Sequence, residues 1–100
     1  MSDRDALARM LPKFDLGQVV ATSAAIVAIE FAHTSAIELV QRHVTGDWGD
    51  LSAEDRTLNE RAIEKGERIL SAYTLADGER LYIITEWDRS VTTILLVSEY

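Results

Sequence analysis

Residues 68–97 read RILSAYTLADGERLYIITEWDRSVTTILLV. Apolar and polar side chains alternate through three runs, the period-two pattern of strands with one buried face. The runs are 68–75, 80–86 and 91–97. Asp77-Gly78 between the first two is the strongest short hairpin signal, and Trp87 to Ser90 makes a four-residue turn between the second and third. On the first strand Ile69, Ser71, Tyr73 and Leu75 share a face; on the second Leu81, Ile83 and Thr85 do. The third is apolar on both faces except at Thr92 and Thr93. Such a strand belongs inside a sheet or under helices.

Everything before this meander reads mainly as helix. Residues 1–13 form an N-terminal arm or a short helix, with a loose stripe of Ala6, Leu7, Met10 and Leu11 that Pro12 stops. Residues 14–66 are mostly helical, preceded by a short strand within 14–21 that adds an edge to the sheet. Thr22 or Ser23 caps a helix over 24–32 that is apolar on nearly every side, through Ile26, Val27, Ile29 and Phe31. A helix of that kind is either buried all round or covered by a partner. The second case raises a homodimer through residues 24–32. Thr34 or Ser35 caps the next helix, with Glu38 three residues after Ser35 as a capping box requires, and Gly46 ends it. Ser52 and Asp55 open a third, mostly polar helix that runs to about Lys65 and stops at Gly66. The fold class expected is therefore α+β: a three- to four-stranded antiparallel meander with three or four short helices mainly on one face. All 100 residues make one domain.

Seventeen acids against ten bases give a net charge of −7, and the bases do not cluster. That balance repels phosphate backbones, so direct nucleic-acid binding is disfavoured outside a ribonuclease. Absence of cysteine rules out disulfides and thiolate metal sites. MSDRDALARM lacks the basic flank and apolar core of a secretory signal, and the apolar run 19–32 is too short for a bilayer and contains Glu30. A cytoplasmic protein with no membrane contact is expected. No glycine-rich phosphate loop or nucleophile elbow is present, and no cofactor is expected.

Two groups of residues are candidates for function. His43 stands four residues before Asp47, with Asp50 nearby. An imidazole beside carboxylates serves as a general base, or it merely complements a helix C-terminus; no second histidine lies at helical spacing, so no metal site is expected. If the protein is an enzyme, the sheet supplies the rest of the site: Ser71, Tyr73 and Thr92, with Thr85 and Thr93 beside them, and Arg89 in the last turn. His43 would take a 2′-hydroxyl proton and Arg89 would neutralise the phosphorane, giving a metal-independent ribonuclease. The plainer reading makes Thr and Tyr strand formers and Arg89 a turn residue. The second group is the acidic loop. Asp47, Asp50, Glu54 and Asp55 fall within nine residues that hold no base, with Trp48 among them. Asp47, Trp48, Asp50 and Glu54 could address a basic groove on a partner. Trp48 and Trp87 both lie in turns, where a tryptophan more often folds back as a lid on the core.

Four segments carry a resemblance: FDLGQVVAT (14–22), RHVTGDWGDL (42–51), the run from Asn59 through KGERILSAY (65–73), and ITEWDRSVTTILLVSEY (84–100). Together they resemble a family of small bacterial proteins encoded on plasmids and integrative conjugative elements. Its members often carry labels such as plasmid-related protein or type I restriction endonuclease subunit M. The resemblance covers roughly residues 14–100 and implies no established activity. The methylase label conflicts with the chain itself, which has no cofactor loop after a strand. Ser23-Ala24 stands where the family usually has Pro-Gly, and Val97 where it usually has Pro. The mobile-element setting implies an inhibitor of host defence (anti-CRISPR or anti-restriction), a small ribonuclease toxin, or a structural accessory protein. With the negative charge, a non-catalytic protein-binding inhibitor leads, and the toxin using His43 and Arg89 is the alternative.

Overall fold

The computed structural model describes residues 11–100, so the N-terminal helix expected before Pro12 falls almost wholly outside the described residues. Four strands and three helices follow: β1 (Gln18–Ala21), α1 (Ser23–Phe31), α2 (Ala36–Val44), α3 (Ala53–Lys65), β2 (Ile69–Thr74), β3 (Arg80–Thr85) and β4 (Val91–Leu96), closed by a 3₁₀ turn at Val97–Glu99. The fold is α+β. The strand order is β1-β4-β3-β2. β2, β3 and β4 form the expected antiparallel meander, with Ser71, Ile83 and Ile94 in one row. β1 departs from the all-antiparallel expectation: it runs parallel to β4, with Val19 opposite Thr92 and Ala21 opposite Ile94. The three elements α1–α3 and the meander separate the two strands in sequence, which is long enough for a parallel return.

The caps fall where the hydroxyls predict. Thr22, Ser35 and Ser52 accept hydrogen bonds from the backbone N–H groups of Ala25, Glu38 and Asp55. α3 ends at Gly66, which adopts the left-handed conformation. One sheet face is the core: Leu81, Ile83 and Ile94 are all at most 1% exposed, and α1 and α2 cover them with Ala25, Ile29 and Leu39. Each such aliphatic contributes about 1.5–3 kcal/mol through burial. A second cluster joins Trp48, Ala62 and Ile69, with Phe14 packed against it.

The two sheet edges are treated differently. At β2 the edge is closed. Asn59 of α3 donates from Nδ2 to the Leu70 carbonyl at 2.7 Å and accepts from the Leu70 N–H at 3.2 Å. Ala72 N–H donates to the Trp48 carbonyl, and Asp50 N–H donates to the Ala72 carbonyl. Gly49 permits this approach, because a Cβ there would run into the Ala72 carbonyl. At β1 three of four residues are exposed.

α1 is neither buried all round nor covered. Ala25 and Ile29 face the core, while Ile26, Val27 and Phe31 are 45%, 64% and 73% exposed. Trp87 is also exposed, at 66%, so it is not a lid. Among the described residues no single helix is long and apolar enough to cross a membrane.

Candidate functional site

Three of the sheet residues singled out from the sequence, Ser71, Thr85 and Thr92, converge on His43 inside the core. α2 points its last turn at the meander, so the His43 ring enters between β2 and β3. Nδ1 lies 2.6 Å from Ser71 Oγ and Nε2 lies 2.9 Å from Thr85 Oγ1. Thr85 Oγ1 is 2.7 Å from Thr92 Oγ1, and Thr92 donates to the Leu16 carbonyl at 2.7 Å. The last bond sets the direction of all the others. Thr92 has one hydroxyl proton and gives it to Leu16, so Thr85 donates to Thr92. Thr85 then accepts from His43, which places the imidazole proton on Nε2 and leaves Nδ1 to accept from Ser71. The result is a one-way relay from Ser71 through His43, Thr85 and Thr92 to the backbone of residue 16.

His43, Ser71, Thr85 and Thr92 are each 0% exposed. Two aromatic rings pack against the imidazole. Phe14 meets the imidazole edge-on at 5.2 Å between centroids, and Trp48 does so at 6.0 Å. Burial pushes the His43 pKa down to about 3, because the ring has no carboxylate partner to favour its cation. Ser71 and His43 thus have the separation of a nucleophile and its base. Neither presents an atom to a substrate, however, and the imidazole is a poor proton acceptor. Among the described residues every buried side-chain polar atom is hydrogen-bonded.

Tyr73 lies one row from Ser71 on the same strand. Its hydroxyl donates to the Asp47 carbonyl at 2.6 Å, and burial pushes its pKa up to about 12. Arg42 stacks on its ring at 4.5 Å. Arg89 lies 5.9 Å from the centroid of the Phe14 ring and makes no hydrogen bond to His43. Its guanidinium donates to four carbonyls: Glu67, Glu86 and Trp87 through Nη1 and Ala62 through Nη2. It therefore closes the C-terminal end of α3, where exposed carbonyls favour a cation. These bonds also hold Arg89 at φ 60°, a left-handed conformation that a non-glycine residue seldom adopts.

The acidic loop is mostly committed to the fold. Asp47 accepts from Arg42 Nε at 2.7 Å and from the Gly49 N–H, and the Arg42 bond holds its pKa below the usual carboxylate range. Asp50 accepts from the Thr74 hydroxyl at 2.6 Å. Trp48 is only 4% exposed, so it is a core lid and not the partner anchor considered from the sequence. Glu54 sits in the first turn of α3 and is exposed. Asn59, Phe14 and Thr85 complete the polar core and its cover. Asn59 and Phe14 had no signal beyond an asparagine inside a polar helix and a phenylalanine before a short strand.

Among the described residues no three His, Asp or Glu side chains gather into a metal-sized cluster. A surface groove of about 470 Å³ lies elsewhere, between α1 and the β2–β3 turn. Ala24, Val27, Phe31 and Leu96 make it apolar, and its two charged lining residues, Asp77 and Glu79, are both acidic.

No family model matches the chain, and no similar protein was found among curated sequences or solved structures.

Proposed function

We propose that the chain is a non-catalytic binding protein whose groove beside α1 takes an apolar side chain flanked by Lys or Arg on a partner protein. The groove carries this reading: its walls are apolar and exposed, and Asp77 and Glu79 are its charges. The net charge of −7 extends the same complementarity over the surface. The partner class favoured is a nucleic-acid-handling or host-defence protein, since these present Lys and Arg around grooves built for phosphates. An anti-CRISPR or anti-restriction inhibitor encoded on a mobile element is a protein of this kind.

The alternative is the metal-independent ribonuclease, which draws on the 2.6 Å contact between Ser71 and His43. It requires Phe14 and Trp48 to open and Arg89 to release its carbonyls.

Affinity capture with Phe31→Glu beside the wild type tests the binding reading. Phe31 is 73% exposed, so the charge leaves the core intact. The wild type is expected to retain a defined basic protein, more weakly as salt rises, and Phe31→Glu to lose it at least tenfold. Equal retention by both proteins refutes the groove. RNA cleaved by the wild type and spared by His43→Ala moves the assignment to the ribonuclease.

A further inference from the structure

We propose that β1 is a self-association edge: it pairs antiparallel with β1 of a second copy about a two-fold axis, joining two four-stranded sheets into one.

The backbone of β1 is half used. Gln18 N–H donates to the Ser90 carbonyl and Thr22 N–H to the Ile94 carbonyl. Residues two apart along a strand point the same way, so Gln18, Val20 and Thr22 bond to β4 while Val19 and Ala21 turn their N–H and C=O groups outward. Among the described residues no backbone bond from outside the strand ladder reaches either N–H. At the other edge the fold uses Asn59, the Trp48 carbonyl and the Asp50 N–H to close β2. The shortness of β1 is its one defence as an open edge: among the described residues it has no lysine, no proline, no bulge and no covering segment.

The edge is self-complementary. Placing Val20 opposite Val20 of the second copy makes Val19 and Ala21 of each copy exchange both backbone bonds with Ala21 and Val19 of the other. That satisfies every outward group of the two residues. Val20 then occupies the narrow, non-hydrogen-bonded position on the axis, where Cα atoms lie about 4.5 Å apart. Val19 and Val20 are 45% and 38% exposed in the single chain, so both gain cover. Three strand spacings of about 4.8 Å separate β4 from its mate, near the roughly 10–12 Å diameter of a helix with side chains. The α1 helices packed on β4 thus approach across the axis. Ile26, on the flank of α1 away from Ala24 and Phe31, is the exposed apolar residue free to fill that seam.

Charge permits a second copy along this stretch and disfavours one elsewhere. Two chains of −7 repel each other over most of their surfaces. Residues 16–29, LGQVVATSAAIVAI, hold no charged side chain, between Asp15 and Glu30. This is the longest uncharged run of the chain, and it contains β1 and most of α1. Like surfaces can meet there without opposed carboxylates. The groove proposed above lies on the other flank of α1, so a dimer leaves it open.

The chain has no cysteine, so Val20→Cys tests the pairing directly. Opposed Cα atoms about 4.5 Å apart fall within the range a disulfide spans. Mild oxidation is expected to convert Val20→Cys to a covalent dimer, whereas Ile37→Cys, exposed on α2, crosslinks at least tenfold more slowly. Sedimentation of the wild type is expected to give twice the chain mass, and Val20→Lys half of that with unchanged circular dichroism. The Val19 and Ala21 amides are expected to be protected from hydrogen exchange in the wild type and to lose that protection on dilution. A wild type that sediments at the chain mass overturns the proposal. So does a dimer in which those two amides exchange freely, because it then forms through another surface.

Discussion

Acid should unfold this protein through one side chain before its carboxylates matter. In the folded chain burial holds the His43 pKa at about 3, below the ordinary 6.5. Unfolding returns the imidazole to water and to about 6.5. Between those values the unfolded chain binds a proton that the folded chain refuses. Stability from this site is therefore complete above pH 6.5 and is lost as the pH falls toward 3. The slope is about 1.4 kcal/mol per pH unit, so at pH 4.5 the loss is about 2.7 kcal/mol. Stabilities of about 5–15 kcal/mol make that a large share for a small domain. Asp47, whose pKa the Arg42 bond lowers, contributes its own loss only below about pH 4. The window from pH 6.5 to 4.5 thus isolates His43. Urea unfolding across it should show the full slope in the wild type. His43→Gln should be less stable throughout and shallower by about one proton, with His33 common to both proteins. Nitrogen NMR should find the ring proton on Nε2. Parallel pH profiles for the two proteins would refute a neutral, buried His43, and a proton on Nδ1 would reverse the relay.

Ile94→Ala, at 1% exposure between Ile83 and Ala21, should cost about 2–5 kcal/mol in chemical unfolding. Asn59→Leu should cost about 1–3 kcal/mol for each Leu70 backbone group left unpaired, and faster exchange of the Leu70 amide should accompany it. Asp47→Asn with Asp50→Asn should cost no more than about 1 kcal/mol per site, because both contacts are exposed, and should leave partner capture unchanged if the groove is the binding surface.

The meander was legible because its signals are local: period-two alternation, Asp-Gly at one turn, and a strand apolar on both faces between two others. The helix starts were legible for the same reason, a hydroxyl three residues before the N–H it accepts. What escaped depends on distant pairing. Four residues of β1 carry no mark of direction, and their parallel register is set by β4, 73 residues later. Asn59 looked like one more polar residue on an outward helix, yet its amide stands in for a missing strand. His43 looked like the partner of Asp47 because the two are four apart. In the fold, the ring turns inward to Ser71 and Thr85, and Asp47 turns outward to Arg42. Spacing along a helix end fixes separation, but which side of the helix meets the sheet decides the partner.

The relay gives residues with the chemistry of a catalytic site a structural role. Its bonds join α2 to β2 and β3, β3 to β4, and β4 to the segment before β1. A slip of β3 by one residue would turn Thr85 to the opposite face and bring Ile84 or Glu86 toward the imidazole. His43 Nε2–H would lose its acceptor, and Thr92 would lose the hydroxyl it accepts from. An unpaired buried donor costs about 1–3 kcal/mol, while each made bond returns only about 0.5–1.5. A chain of such bonds therefore penalises wrong registers more than it rewards the right one. This matters most in a sheet whose core rows are otherwise interchangeable aliphatics, since Ile83, Ile84 and Ile94 alone would tolerate a shift. Fixing the register in this way engages the imidazole, the serine and both threonines, all of them fully buried. The surface that this register positions includes both features proposed above for binding: the apolar flank of α1 with Asp77 and Glu79 on one side, and the open backbone of β1 on the other.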